Sequence, residues 1–145
     1  MGANITELLT CDGEAEYFCG IDPRGGQCGC GVNVYKSFNE IAGKPDVIID
    51  FSSPAVLDEE LDYAVRNNVP AVIGSTGFTP EQLAKIDGAA KKVAIFRTAN
   101  FSLGVNLLCR LVKRAAETLG EKFDIEIIEK HHNRKVDAPS GTALM

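Results

Sequence analysis

Nothing in this chain is long and apolar enough to span a bilayer. Its uninterrupted hydrophobic runs are a few residues, Val47 to Ile49 being typical, against the roughly 20 that a transmembrane helix needs. The opening MGANITELLT has no basic start followed by an apolar stretch, so no secretory leader is expected and the chain reads as cytoplasmic and not membrane-bound. Gly2 occupies the position that N-myristoylation would use, but that motif is too short to outweigh the plain reading. Basic charge is also scarce. With 15 Lys and Arg against 20 Asp and Glu, the net charge is −5 and no Lys/Arg stripe is present, which excludes a nucleic-acid footprint. Any anion must therefore be bound locally. A paired cysteine framework is missing too: Cys11, Cys19, Cys28, Cys30 and Cys109 form an odd set without C-x2-C spacing. A secreted disulfide scaffold is therefore not expected, and reduced thiols are. A zinc site on Cys11, Cys19, Cys28 and Cys30 is disfavoured by irregular spacing and by the lack of a nearby histidine, so no metal is expected and residues 25 to 31 read as a variable surface loop.

What remains is an ordinary globular composition, 45% hydrophobic and 24% charged, without repeats or low-complexity stretches. Residues 3 to 10 have helical spacing, with Ile5, Leu8 and Leu9 on one face, and Glu14 to Ile21 reads as a strand stopped by Asp22-Pro23. Residues 23 to 33 read as loop. Val47-Ile48-Ile49 is the β-branched run expected of a parallel strand covered on both faces. Ser53 as N-cap and Pro54 as first residue open a helix with Leu57, Leu61, Ala64 and Val65 on one side, ending near Asn67-Asn68. A strand at Pro70 to Ile73, a capping box at Thr79 to Gln82 and a strand at Val93 to Phe96 complete a strand-helix-strand-helix-strand series. Such alternation predicts α/β architecture with a parallel sheet.

A long helix follows, with Leu103, Leu107, Leu108, Leu111, Val112, Ala115, Ala116 and Leu119 forming a stripe for core or interface packing, closed by Gly120. Phe123 to Ile128 alternates apolar and acidic residues and is expected to be a half-exposed strand. The domains are set at 1–102 and 103–145.

Polar chemistry concentrates after that stretch. The only two histidines, His131 and His132, are adjacent and are followed by Lys135 and by Pro139-Ser140-Gly141-Thr142. An imidazole can move a proton near neutral pH, and a lysine can hold a carboxylate or deliver a proton. A solvated loop is the plain alternative, and the His-His-x-x-Lys spacing beside a Pro-Ser-Gly-Thr turn favours function. Ser140 to Thr142 could be a simple helix cap. Its closeness to Lys135 favours an anion site built from backbone N–H groups, and two converging anion sites suggest a small dicarboxylate. Asp22, which closes a strand 20 residues beyond Gly2, sits where a dinucleotide fold places its ribose-binding acid. No strand and no complete glycine loop precedes it, so this signal is weak.

These stretches together resemble the dihydrodipicolinate reductase family of lysine biosynthesis. The likeness is carried by VIIDFSSP at 47–54, IGSTGFT at 73–79, ANFSLGVN at 99–106 and, most specifically, DIEIIEKHHNRKVDAPSGTA at 124–143. The resemblance implies a Rossmann-like parallel sheet followed by the start of a mixed α+β substrate and tetramerisation domain. It implies a nicotinamide cofactor, NADH or NADPH with NADH preferred, held by Gly2, Asp22, Gly74, Ser75, Thr76, Thr98, Ala99, Asn100 and Phe101. His131 is then the proton donor and acceptor, Lys135 a second proton donor, and His132, Ser140, Gly141 and Thr142 the contacts to a cyclic dicarboxylate. The complete enzyme is expected to be a homotetramer. Relative to the family, the chain is expected to be truncated at both ends, lacking the first strand with most of its glycine loop and the remainder of the second domain. Ser75 stands where the family's loop often has threonine. A non-catalytic fragment that keeps only a dicarboxylate-binding turn is the competing expectation.

Overall fold

The computed structural model describes residues 1–29, 31–133 and 139–144. The chain forms two compact units, Met1–Arg97 and Thr98–Met145.

The first unit begins with helix α1, Gly2–Cys11, close to the expected range. Of the strand expected at 14–21 only its end is paired: β1 is Gly20–Ile21. The region expected to be loop contains a second short strand, β2, Gly26–Gln27, and β3 follows at Asn33–Tyr35. The sheet order is β1-β3-β2, with β1 parallel and β2 antiparallel to β3. Positive-φ glycines at 25, 26 and 31 let the chain fold back within eleven residues, which is why a glycine-rich stretch reads as loop yet carries a ladder.

The second sheet is the expected one. Strands β4, Ile48–Asp50, β5, Ala71–Ile73, and β6, Ile95–Arg97, lie side by side in parallel. The connections are α2, Leu57–Asn67, and α3, Pro80–Ala90. Leu57, Leu61, Ile86 and Ala89 pack on Ala71 and Ile73 of the central strand, with Ile48 and Ile95 flanking them. Each large side chain fully buried here contributes roughly 1.5–3 kcal/mol.

Among the described residues of this unit only one face of the sheet is covered, contrary to the expectation of strands buried on both sides. Ile49, Val72 and Phe96 are register partners and so share the opposite face, where Ile49 is 41% and Phe96 59% exposed. Two successive crossovers of one hand that advance in one direction along a sheet place both helices on the same side.

Two local expectations are corrected at α2. Ser53 makes no side-chain capping bond, and Pro54–Val56 forms a 3-10 turn before the α-helix begins at Leu57. Proline's fixed φ suits either kind of first turn, so the sequence does not separate them. The helix ends as expected at Asn68, which adopts a left-handed φ of 50°. The capping box of α3 is complete: the Thr79 hydroxyl accepts from the Gln82 N–H, and the Gln82 side chain accepts from the Thr79 N–H.

The second unit is built around α4, Leu103–Leu119, capped by Ser102 and closed by Gly120 at φ 65°. Of the two roles expected for its stripe, core or interface, the core role does not hold within this chain: none of its residues is buried, and Leu103 is 85% exposed. The strand expected at 123–128 is absent: among the described residues no neighbour pairs with it, and an unpaired extended segment hydrogen-bonds to water instead of to a ladder. The expectation of reduced thiols holds for Cys11, Cys19 and Cys109, whereas Cys28 is disulfide-bonded. Disulfide formation depends on which thiols the fold brings together, which cysteine spacing does not report. Cys30 lies outside the described residues.

Candidate functional site

In the first unit, Asp50, Ile73 and Arg97 are register partners, so β4, β5 and β6 end level. Ligands of open α/β sheets bind beyond such carboxyl ends. The segments that leave β4 and β5 are tied together by Asp50, which is 8% exposed. Its carboxylate accepts from the Ser52 N–H at 2.8 Å and from the hydroxyls of Ser52 and Ser75, while its carbonyl accepts from the Gly74 N–H at 2.7 Å. Ser75 is thus buried and turned toward Asp50, whereas Thr76 is exposed. A Cβ at Gly74 would lie 2.5 Å from the Phe51 ring, so close packing inside the protein already requires glycine there.

Asp22 follows β1 directly. Its carboxylate accepts from Arg24 through Nε, Nη2 and the backbone N–H, each at 2.9 Å. These bonds lower its pKa to about 2, so the group is ionised at neutral pH. Gly2 starts α1, which has no side-chain cap, and a Cβ there would meet nothing within 4 Å. An uncapped helix start with open space around its first residue is compatible with a phosphate group, and an ionised acid after a parallel strand is compatible with ribose hydroxyls.

In the second unit several of the residues named from the sequence, His131, Ser140, Gly141 and Thr142 with Ala99 and Asn100, are linked around one turn. Ser140 accepts from the N–H groups of Ala143 and Leu144, at 2.9 and 3.1 Å, which closes a single helical turn over 140–144. The Ser140 N–H donates to Glu129 Oε1 at 3.0 Å, and Glu129 Oε2 lies 3.5 Å from His131 Nδ1. The Asn100 amide donates to Thr142 Oγ1 at 2.8 Å and accepts from the Ser102 N–H at 2.7 Å. Asn100 thus fastens the turn to the start of α4. Thr98 bonds Asn100 in both directions, donating to its carbonyl at 3.2 Å and accepting from its N–H at 3.3 Å. Gly141 lies against Ala99: a Cβ at Gly141 would sit 3.1 Å from that of Ala99. Phe101 is 44% exposed and His132 is exposed. Lys135 lies outside the described residues.

Sequence reasoning did not single out Glu129 or Asp50. Glu129 stands two residues before His131, and in extended backbone such a pair shares a face, a signal that was available. Asp50 needed the fold, because its partners Ser52 and Ser75 come from different strand ends.

The description "Dihydrodipicolinate reductase, N-terminus" matches residues 1–101 and "Dihydrodipicolinate reductase, C-terminus" matches residues 104–145. A 4-hydroxy-tetrahydrodipicolinate reductase of Clostridium novyi is 49% identical over 112 residues, which is 77% of this chain and 44% of that protein. The reductase of Caldanaerobacter subterraneus is 43% identical over all 145 residues, 57% of its own length. Among solved structures, a dipicolinate-bound dihydrodipicolinate reductase from Paenisporosarcina sp. TG-14 superposes with a TM-score of 0.74 at 31% identity, covering 99% of this chain and 58% of the other. The chain spans about half the length of the curated relatives it matches. Two family descriptions that tile the sequence almost end to end, together with a shared fold, place this chain in the dihydrodipicolinate reductase family.

Proposed function

We propose that this chain forms part of a cytoplasmic reductase that converts 4-hydroxy-tetrahydrodipicolinate to tetrahydrodipicolinate in lysine and diaminopimelate biosynthesis, the 4-hydroxyl leaving as water and the resulting conjugated imine taking up one hydride and one proton. The observation that carries the reading is the stretch 124–143, which supplies an imidazole, a lysine and a turn of backbone donors within twenty residues and falls in the matched C-terminal family region. The Paenisporosarcina relative, with dipicolinate bound, supports a planar cyclic dicarboxylate as the ligand class.

NADH or NADPH, when bound, supplies the hydride. Gly2, Asp22 and the Gly74-Ser75-Thr76 segment belong to the nucleotide-handling part, residues 1–102, with Thr98, Ala99, Asn100 and Phe101 continuing it. Asp22 accepts ribose hydroxyls, and Arg24, already chelating it, tempers its repulsion of a 2′-phosphate. Residues 103–145 begin the substrate and oligomerisation part of a homotetramer. There the N–H groups of Gly141 and Thr142 take a substrate carboxylate, and His132 and Ser140 flank it. His131 delivers a proton to the nitrogen that becomes electron-rich on reduction, and Lys135 offsets negative charge and serves as a second donor.

The test is a chimera in which this chain replaces the matching segment of the Caldanaerobacter reductase, assayed by loss of nicotinamide absorbance with the dicarboxylate substrate. Turnover within about tenfold of the parent reductase is expected. Dicarboxylate binding without turnover would instead favour a binding module.

A further inference from the structure

We infer that Glu129 is a positioning residue that holds the mobile proton of His131 on Nδ1 and, through the same carboxylate, fixes the turn at 140–144. The inference deepens the reductase reading and rests on it for its catalytic consequence, though not for its structural one.

Ser140 is 4% exposed, so its backbone N–H has no access to water and requires an internal acceptor. Glu129 Oε1 is that acceptor at 3.0 Å, reaching across eleven positions of chain. The other oxygen, Oε2, lies 3.5 Å from His131 Nδ1, within ion-pair distance. An ionised carboxylate can only accept, so the nitrogen beside it is stabilised when it carries a proton. Nε2 is then the nitrogen left for chemistry: a donor in the imidazolium, an acceptor in the neutral ring. One carboxylate thereby sets the tautomer of the proton carrier and the shape of the turn proposed to hold the substrate carboxylate. Both residues are solvent-exposed, with side-chain exposures of 30% for Glu129 and 39% for His131, so the tether of Oε1 to the Ser140 N–H, and not exclusion of water, is what keeps Oε2 beside Nδ1.

Glutamine separates the two roles. In Glu129→Gln the amide oxygen continues to accept from the buried Ser140 N–H, because no other part of that side chain can. The amide nitrogen must then face Nδ1, which can only accept from it, and the ring proton moves to Nε2. The backbone geometry is kept and the tautomer is reversed, the situation in which an acid–histidine pair loses turnover without losing shape. Alanine removes both roles together.

The tautomer is read directly by long-range 15N–1H spectra of the chain at a pH where the ring is neutral, with His131 assigned by its disappearance in His131→Gln. The parent is expected to show the Nδ1–H form and Glu129→Gln the Nε2–H form. In the Caldanaerobacter chimera, Glu129→Gln should lower kcat by roughly 100-fold or more with KM for the dicarboxylate changed less than about threefold, while Glu129→Ala also raises KM. The same tautomer in parent and Glu129→Gln overturns the inference, as do equal effects of Gln and Ala on both constants. Should Glu129→Gln lose the native amide spectrum, Glu129→Ala decides: its Nδ1–H preference must vanish. A tautomer exchange in a chain whose parent chimera is inactive supports the inference and sinks the reductase reading alone. An active parent chimera with an unmoved tautomer does the reverse.

Discussion

Glu60 lies fully buried on α2 within electrostatic reach of Asp50, and neither of its carboxylate oxygens has a hydrogen-bond partner among the described residues. Its neighbours on the inward side of the helix are Leu57, Leu61, Tyr63 and Ala64. Burial first, and the charge of Asp50 second, push its pKa up to about 8. At neutral pH Glu60 is therefore a protonated acid in an apolar setting, while Asp50, satisfied by Ser52 and Ser75, holds the ends of β4 and β5.

This relationship fixes the sign of a pH dependence. Below the ordinary glutamate value of 4.5 both folded and unfolded Glu60 are protonated and the group has no effect. Between 4.5 and about 8 only the unfolded chain releases the proton, so stability falls with rising pH, by on the order of 1 kcal/mol per unit. Above about 8 the penalty is constant. Glu60→Gln keeps the shape and removes this slope: thermal melts of the two proteins should coincide near pH 4.5 and diverge, with the variant higher, toward pH 8. Equal slopes across that range would show that Glu60 finds a partner when ionised.

Thr79→Ala removes half of the capping box at the start of α3, leaving the Gln82 N–H without its acceptor. A loss of about 1 kcal/mol in denaturant unfolding is expected, with an unchanged m-value. A loss under about 0.3 kcal/mol would mean that water caps the helix equally well.

Asp22 should read the adenine ribose. In the chimera, NADH is expected to bind more tightly than NADPH, by a modest factor because Arg24 chelates the acid. Asp22→Ala should narrow or invert that ratio when both dissociation constants are measured at one ionic strength, since repulsion between a carboxylate and a phosphate is screened by salt. A ratio that stays the same would move ribose recognition elsewhere.

His131→Gln in the chimera should lower kcat by roughly 10²–10⁴-fold, the scale of a lost general acid or base, and leave nicotinamide affinity nearly unchanged. Activity within about threefold of the parent from pH 6 to 9 would remove His131 from proton transfer.

The amino-acid sequence by itself determined the α/β alternation, the parallel order implied by β4, β5 and β6, the capping box at Thr79 and the end of α2 near Asn67-Asn68. Each depends on residues within one turn or one crossover, where backbone preference and apolar spacing act without help from afar. The family was legible for a related reason: the string at 124–143 is contiguous. Tertiary structure alone decided the rest. Whether Phe123 to Ile128 becomes a strand depends on a partner for its ladder, and whether the α4 stripe is buried depends on a surface to meet it; neither requirement is written in the segment's own pattern. Only folding brings Asp50 to Ser75, Glu129 to Ser140 and Asn100 to Thr142, across 25, 11 and 42 positions. A buried donor must find an acceptor wherever the chain happens to pass, and that choice is made in space rather than along the sequence.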